Sequence, residues 1–369
     1  MDATEFEAAG LYDPRAPNAA ERLALLRWMA ARGLTREQMV RALRHGSLTG
    51  LAGDLALRPG GRLTLAELAA RVGSTPERVE AFRLAAGLPQ VEADEAAFSE
   101  DDAGTFAAFA AGATQFGEIP VRRFVRVMGS SLARIAEAAV SLFYANVEAL
   151  IRAAGAGELA LAEANLRAVE RIEVMPTVLA SLFRAQLEIA IRRFRRAHLT
   201  PSGDTARFTV GFVDLVGFTT LSRRMTAREL GTVVDRFEDT AHDVATARGG
   251  RIVKLIGDEV MFVTVTAAAA CDIALTLVEQ FAGDPSITPR GGLATGDLLF
   301  RGGDYYGPIV NLAARLADVA VPGELLVTPE LAAEAGSAGW RFEPAGKRLL
   351  KGFEQPVTLL AVERAGGSR

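Results

Sequence analysis

The sequence has little cysteine, little histidine and almost no excess of either charge. Its 369 residues include one cysteine, Cys271, which excludes an internal disulfide and suits a reducing compartment. The formal net charge of −4 excludes a protein that is basic over its whole surface. No run of about 18 uncharged apolar residues occurs, and the apolar stretch 140–151 is interrupted by Asn146 and Glu148. We therefore expect no membrane span.

The N-terminus also lacks the pattern of a secretory signal. It is acidic and is broken by Pro14, so no basic segment is followed by an apolar one. Half of the residues are apolar and 23% are charged, which is typical of globular proteins. The length suits at least two domains. These features predict a cytoplasmic, globular protein.

The chain changes character near residue 200. Residues 18–198 are rich in Ala, Leu, Arg and Glu at helical spacing, which predicts an all-helical domain over residues 1–198. Within it, Thr64–Val72 and Thr75–Ala86 form a predicted helix pair. A long predicted helix runs from Glu158 to Arg196 and is kinked or divided at Pro176. The Pro, Gly and Ser in residues 199–206 predict a linker.

Residues 207–369 have the pattern of strands alternating with helices. The predicted elements are strand Arg207–Val213, a helix from Thr226 to Arg248, strands Arg251–Ile256 and Val260–Val265, helix Ala267–Phe281 and strand Arg290–Ala294. The order β-α-β-β-α-β predicts a ferredoxin-like core, with one helix layer on a mostly antiparallel sheet. The fold class is therefore α+β: an all-helical N-terminal domain followed by a ferredoxin-like βαββαβ domain.

Two aspartates are candidates for metal ligands. Asp214 ends the first predicted strand, and Asp258 lies at the tip of the predicted hairpin in the run KLIGDE. If these elements are neighbours, two carboxylates meet at one end of the sheet, as in many Mg²⁺ or Mn²⁺ sites. Gly217 permits a sharp turn, after which the amides of residues 216–219 open a helix that can hold a phosphate. The alternative is that Asp214 caps this helix and Asp258 is a turn residue.

Lys254 and Asp304 have donors and acceptors suited to a purine. Lys254 lies in an apolar strand, and Asp304 lies in the run RGGDYYG. An ammonium donates to adenine N1 and a carboxylate accepts from the adenine amino group, whereas guanine presents the reverse pattern. The alternative is that Lys254 protects an edge strand and Asp304 is a loop residue.

A third set of polar residues follows. Asn311 and Arg315 are four residues apart on one predicted helix, so they share a face. Such a pair suits a ribose and the charge on a reacting phosphate, although a solvated helix face has the same pattern. Lys351 is a further candidate for a phosphate contact, or an ordinary surface lysine.

Taken together, the segments FVDLVGFTTLS, KLIGDEVMF, GDYYGPIVNLAARL and LLKGFEQPV resemble the catalytic domain of class III nucleotidyl cyclases over residues 205–363. The resemblance implies two divalent metal ions, Mg²⁺ or Mn²⁺, on Asp214 and Asp258, and an adenine-selecting pair of Lys254 and Asp304. The other implied roles are a ribose contact (Asn311), a transition-state arginine (Arg315), a triphosphate contact (Lys351) and phosphate contacts in the turn (Phe218, Thr219).

The implied reaction is attack of the ribose 3′-oxygen of ATP on the α-phosphorus, which releases pyrophosphate. In this family the metal ligands and the purine, ribose and transition-state residues of one site come from different catalytic domains. The chain carries all of them on one such domain. The resemblance therefore implies a homodimer with two composite sites.

The helical half resembles the N-terminal regulatory domains of some actinobacterial class III cyclases, including pH-responsive ones. Of the three histidines, His45, His198 and His242, the one at the domain junction, His198, is the candidate pH sensor. Binding of a hydrophobic ligand among the Phe-rich helices is an alternative, and plain core packing is the preferred interpretation of those residues.

Residues 64–88 have the pattern of a helix-turn-helix. Leu68, Val72, Val79 and Phe82 would form its core, with Arg78 and Arg83 facing outward. A DNA-binding or catalytically silent nucleotide-sensing regulator is therefore the alternative function. The segment also carries acidic residues and no basic arm, so contact with nucleic acid is not expected.

Overall fold

The computed structural model describes residues 1–46, 48–58, 62–197, 203–218, 222–282 and 287–366. It divides into two compact units, Met1–Phe183 and Arg184–Arg369. His198 and half of the predicted linker, residues 199–202, lie outside the described residues.

In the part that the structure describes, the first unit is built of helices, with one isolated antiparallel bridge between Leu63 and Phe98. Its helices are α1 (Ala3–Ala8), α2 (Ala19–Ala31), α3 (Arg36–Arg44), α4 (Leu51–Leu57), α5 (Leu65–Arg71), α6 (Pro76–Ala85), α7 (Glu100–Phe116), α8 (Glu118–Phe143), α9 (Ala149–Ala153), α10 (Glu158–Ile172) and the start of α11 (Met175–Arg196). Thr35 forms a capping box at the start of α3, and Thr64 forms another at the start of α5.

Two apolar clusters hold the first unit together. One joins α1 to α4 with α10 around Phe6, Leu26 and Met29, and the other joins α5 to α8 around Phe82 and Phe98. In the second cluster the rings of Phe98 and Phe106 pack edge to face, with centroids 6.3 Å apart. The core interpretation of the Phe-rich helices, residues 98–124 and 143–144, is thus confirmed for Phe98 and Phe106. It is wrong for Phe116, Phe124 and Tyr144, which are exposed.

The long predicted helix is divided, as Pro176 suggests. Helix α10 ends at Ile172 and α11 begins at Met175, so the proline falls in the first turn, where its missing N–H costs nothing. By length and composition this helical stretch, Glu158–Arg196, would be able to cross a membrane, and none of its apolar window is buried. The absence of a span stays a prediction.

The described residues of the second unit form one sheet of eight strands. They are β1 (Thr205–Val216), β2 (Arg251–Ile256), β3 (Glu259–Thr264), β4 (Thr288–Arg301), β5 (Asp304–Tyr306), β6 (Leu325–Val327), β7 (Trp340–Arg348) and β8 (Val357–Arg364). The helices that the structure describes in this unit include α12 (Ala227–Ala247), α13 (Ala267–Gln280), α14 (Pro308–Val319), α15 (Pro329–Ala335) and the end of α11.

The strand order is β2-β3-β1-β4-β6-β8-β7, and β5 pairs with β4. Strands β1 and β3, β1 and β4, and β2 and β3 are antiparallel, and only β4 and β6 are parallel among the described pairs. The βαββαβ order of β1, α12, β2, β3, α13 and β4 confirms the predicted ferredoxin-like core. Strands β1 and β4 are longer than predicted, so Asp214 lies inside β1 and not at its end.

The expected single helix layer is wrong, because both faces of the sheet carry helices. Val213 and Leu215 of β1 pack with α12 and α13 on one face, whereas Phe208 and Phe212 pack with α14 and the end of α11 on the other. This alternation follows from the two-residue period of a strand. Helix α14 comes unusually close to the sheet, since a Cβ atom at Gly292 would lie 2.3 Å from the Ala317 nitrogen.

Candidate active site

The first part of the site lies where β1, β3 and β4 meet. Asp214 on β1 is opposite Glu259 on β3 and opposite Arg290 on β4. The Arg290 guanidinium donates from Nε and Nη2 to the Asp214 Oδ2 atom, at 3.2 and 3.0 Å. Its Nη1 donates to the carbonyl oxygens of Asp318 and Ala320, at 2.8 and 3.2 Å. Arg290 thus ties the carboxylate on β1 to the end of α14.

Asp258 occupies the turn between β2 and β3, beside Asp214. Its carbonyl oxygen accepts from the Leu215 nitrogen at 3.2 Å, which fixes the turn against β1. Burial and the neighbouring charge of Asp214 raise the pKa of the Asp258 carboxyl, against the opposing effect of Arg290. Burial, followed by the charges of Asp214, Asp318 and Asp258, raises the pKa of Glu259 to about 7. The carboxylates of this part of the site therefore carry more negative charge than the Arg290 guanidinium neutralises.

A divalent cation fits this electrostatic arrangement. The mutual repulsion of Asp214 and Asp258 is what an added positive charge relieves. Among the described residues, no group of three or more His, Cys, Asp or Glu side chains has the arrangement of a complete metal site. Mg²⁺ is often held by only one or two carboxylates together with substrate phosphates. The donor set therefore suits a cation that arrives with a phosphorylated ligand.

Lys254 and Asp304 form the second part of the site. The Lys254 Nζ atom donates to the Asp304 Oδ2 atom at 2.7 Å, although fifty positions separate them in the chain. The Asp304 Oδ1 atom accepts from the Tyr305 nitrogen at 2.7 Å, so the carboxylate is oriented by its own backbone. Lys254 does lie on the edge strand β2. Neither residue is an isolated surface charge, however, and together they present a donor and an acceptor.

Helix α14 carries the third part. Its buried residues Ala313 and Leu316 face the sheet, which leaves Asn311 exposed and Arg315 partly exposed. The Arg315 Nη1 atom donates to the Asp318 Oδ2 atom at 2.5 Å, one turn further along. The backbone of Asp318 in turn accepts from Arg290. Arg315 is therefore linked to the carboxylate site through Asp318 and Arg290.

Of the remaining predicted contacts, the structure describes Phe218 and Lys351. Gly217 has φ +86°, so the predicted sharp turn after β1 is confirmed. Phe218 packs, partly buried, against the core formed by α12 and α13. Thr219 lies outside the described residues. Lys351 is exposed in the turn between β7 and β8, consistent with either interpretation of that residue.

Arg290, Glu259 and Asp318 belong to the site but were not found from the sequence. Arg290 is recognisable only once the register of β1 and β4 is known, because 76 positions separate it from Asp214. Glu259 follows Asp258 directly, so its burial was the missing information.

The helix-turn-helix interpretation fails at one of its two arginines. The predicted core of the pair is confirmed: Leu68, Val79 and Phe82 are buried, and Val72 packs against them, partly buried. Arg83, expected to face outward, is only 7% exposed, and its Nε atom donates to the Pro89 carbonyl oxygen at 2.7 Å. Arg78 is ion-paired with Glu118 at 3.1 Å. The two arginines are thus used in packing and pairing, which weakens the DNA-binding alternative.

The chain matches two families, one in each half. Residues 5–192 match the adenylate cyclase regulatory domain, and residues 201–362 match the adenylate and guanylate cyclase catalytic domain. An uncharacterized protein of Mycobacterium tuberculosis H37Rv is 33% identical over 359 residues, which cover 97% of this chain and 93% of that protein. A pH-sensitive adenylate cyclase of Mycobacterium tuberculosis CDC 1551 is 33% identical over 365 residues, covering 94% of this chain and 88% of the relative.

Among solved structures, the adenylyl cyclase CyaB from P. aeruginosa is 26% identical to this chain, with a TM-score of 0.38. The similarity covers 45% of this chain and 96% of CyaB. The predicted family is confirmed by the matches along the sequence, which follow one another over nearly the whole length. The chain therefore belongs to the class III nucleotide cyclases, with an adenylate cyclase regulatory domain preceding a cyclase catalytic domain.

Proposed function

We propose that the protein is an adenylate cyclase that converts ATP to 3′,5′-cyclic AMP and pyrophosphate. The observation that carries the choice of ATP over GTP is the 2.7 Å contact between Lys254 and Asp304. In this pair the ammonium donates to adenine N1, and the carboxylate accepts from the adenine amino group. Guanine has the reverse pattern. Its N1–H donor faces the Lys254 ammonium and its O6 acceptor faces the Asp304 carboxylate, so neither side chain forms a hydrogen bond with the base.

Asp214 and Asp258 are the proposed ligands of two divalent cations, Mg²⁺ or Mn²⁺. When bound, the cations would lower the pKa of the ribose 3′-hydroxyl through their positive charge and would hold phosphate oxygens. Burial, together with the neighbouring carboxylates, raises the pKa of both Asp258 and Glu259, and this partly buried cluster of acidic groups supports the assignment.

The other predicted residues act on the remaining parts of the substrate. Asn311 orients the ribose, and Arg315 offsets the negative charge that grows on the α-phosphate as the 3′-oxygen attacks. Lys351 contacts the triphosphate, and the turn containing Phe218 and Thr219 contacts phosphate through its backbone amides.

The proposed active form is a homodimer in which each site takes its carboxylates from one chain and Lys254, Asp304, Asn311 and Arg315 from the other. The helical half, proposed as residues 1–198, regulates the catalytic half, proposed as residues 207–369, and pH is a candidate stimulus. The proposal places the protein in the cytoplasm, without contacts to membrane or nucleic acid.

The test is cyclic nucleotide formation by the full-length protein from ATP and from GTP, with Mn²⁺ or Mg²⁺. Cyclic AMP is expected as the main product, and it is lost in Asp214→Ala. Asp235→Ala, which removes an exposed carboxylate from α12, is the matched control and retains activity. No cyclic product from folded protein, or a preference for GTP, would contradict the proposal.

A further inference from the structure

We propose that the last turn of helix α11 positions the Asp304 carboxylate, and that Phe194 is the residue through which it does so. The inference rests on the proposed function, because it takes Asp304 as the purine contact. Phe194 touches no substrate in this account, so it is a positioning residue that acts through the hairpin formed by β4 and β5.

The contacts of Phe194 lead directly to that hairpin. Its ring lies 4.6 Å from the ring of Phe300, measured between centroids, and 6.0 Å from the ring of Phe208. Phe208 in turn packs edge to face on Tyr305 at 5.3 Å. Ala197, at the end of the helix, is 4% exposed in the same cluster. The end of α11 is therefore part of the core under the hairpin.

The hairpin itself is short and depends on such packing. Only three residue pairs join β4 to β5, and the last of them is Arg301 with Asp304. Both glycines of its turn, Gly302 and Gly303, have positive φ. An isolated two-stranded hairpin is marginally stable in water. The position of Asp304 is thus set by what lies on either side of the hairpin.

Cationic side chains hold the hairpin from the side of β2. The Arg251 Nη2 atom donates to the Gly303 carbonyl oxygen at 2.8 Å, and Lys254 pairs with Asp304. Arg193, on α11, lies beside Tyr305 and near Arg251, and burial lowers the pKa of its guanidinium. The hairpin is consequently clamped between strand β2 and the last turn of α11.

This clamp gives the helical half a route to the substrate contact. Helix α11 begins at Met175 in the first unit and ends at Arg196 in the second. A shift or rotation of the helix end moves Phe194 against Phe300, and the paired strand then moves Tyr305 and Asp304. The expected result is a change in purine affinity and selectivity, and not only in the rate of the chemical step.

The experiment compares Phe194→Ala with Ile191→Ala in the full-length protein. Ile191 lies on the same helix but is 42% exposed, so its truncation leaves the hairpin contacts in place. In Phe194→Ala the KM for ATP rises roughly fivefold and the ATP-to-GTP ratio of kcat/KM falls by a similar factor, as partial loss of one hydrogen bond predicts. The kcat for ATP changes less than about twofold. Phe194→Leu restores most of the selectivity.

Hydrogen exchange of the hairpin separates failure of this inference from failure of the proposed function. Faster exchange at residues 300–306 in Phe194→Ala, and not in Ile191→Ala, is expected whether or not product forms. If the wild type forms no cyclic nucleotide, competition between ATP and GTP for binding replaces the kinetic ratio. Faster exchange with unchanged ATP-to-GTP selectivity, or unchanged exchange in folded Phe194→Ala, would overturn the inference.

Discussion

Replacing Gly292 with alanine tests whether the close approach of α14 to the sheet sets the catalytic geometry. A Cβ atom at Gly292 would lie 2.3 Å from the Ala317 nitrogen and 2.4 Å from the Ala313 carbonyl oxygen. Both atoms belong to the helix backbone, so no side-chain rotation can relieve the clash. The helix that carries Asn311 and Arg315 must therefore move away from β4.

The size of the effect follows from these distances. Ordinary contacts of a Cβ atom lie at 3.4–4 Å, so the gap must open by about 1 Å. Overpacking of this kind costs about 1–3 kcal/mol of unfolding free energy. A displacement of about 1 Å at a catalytic group lowers kcat by as much as about 100-fold. We expect Gly292→Ala to be folded, less stable and at least about tenfold slower.

The assay pairs urea unfolding with initial rates of cyclic AMP formation. Gly231→Ala is the matched control, because a Cβ atom at that position of α12 meets no described atom within 4 Å. Removing a helix glycine there stabilises the protein by about 0.5–1 kcal/mol. If Gly292→Ala is as stable and as active as the wild type, the packing argument for the position of α14 is refuted.

Three further predictions concern charges. In EDTA, the contribution of Glu259 to the unfolding free energy falls as the pH rises from 4.5 towards 7, because folded Glu259 holds its proton more tightly than the unfolded chain does. Glu259→Gln therefore stabilises the protein at pH 8 by on the order of 1–2 kcal/mol, a figure from the pKa shift of Glu259 discounted for its partial exposure. Urea unfolding measures this difference. Arg83→Ala leaves the Pro89 carbonyl unpaired and lowers the stability of the first unit by about 1–3 kcal/mol in thermal unfolding. Arg290→Gln removes a cation beside Asp214. The affinity for Mn²⁺, measured by calorimetry without nucleotide, is expected to rise roughly fourfold. An unchanged affinity would contradict the charge argument.

Local patterns in the sequence predicted much of the second unit. In the run KLIGDE, Gly257 and Asp258 favour a turn between two strands. The hairpin of β2 and β3 forms at this turn. The chemistry of Lys254 and Asp304 was visible in their residue types. Their meeting at 2.7 Å depends on a hairpin that folds back over the sheet, which residue spacing alone does not indicate.

Cross-strand register and burial account for what the sequence did not predict. Arg290 pairs with Asp214 only because β1 and β4 align Asp214 with that position. Arg83 has the spacing of a surface arginine, yet its stem and guanidinium cover Phe98, with the cation 4.9 Å from the ring centroid. Helix α14 lies on the second face of the sheet because Gly292 leaves room for its backbone, a tertiary contact without a local signal.

Mixing two inactive variants tests the central claim, that two chains of this protein share each adenylate cyclase site. Asp214→Ala and Lys254→Ala chains, coexpressed with different tags and purified as heterodimers, have one intact composite site of two and recover up to about half of the wild-type activity per dimer. Asp214→Ala mixed with Asp258→Ala damages the carboxylates of both sites and recovers none. Heterodimers of the first mixture that are as inactive as each parent would contradict the account.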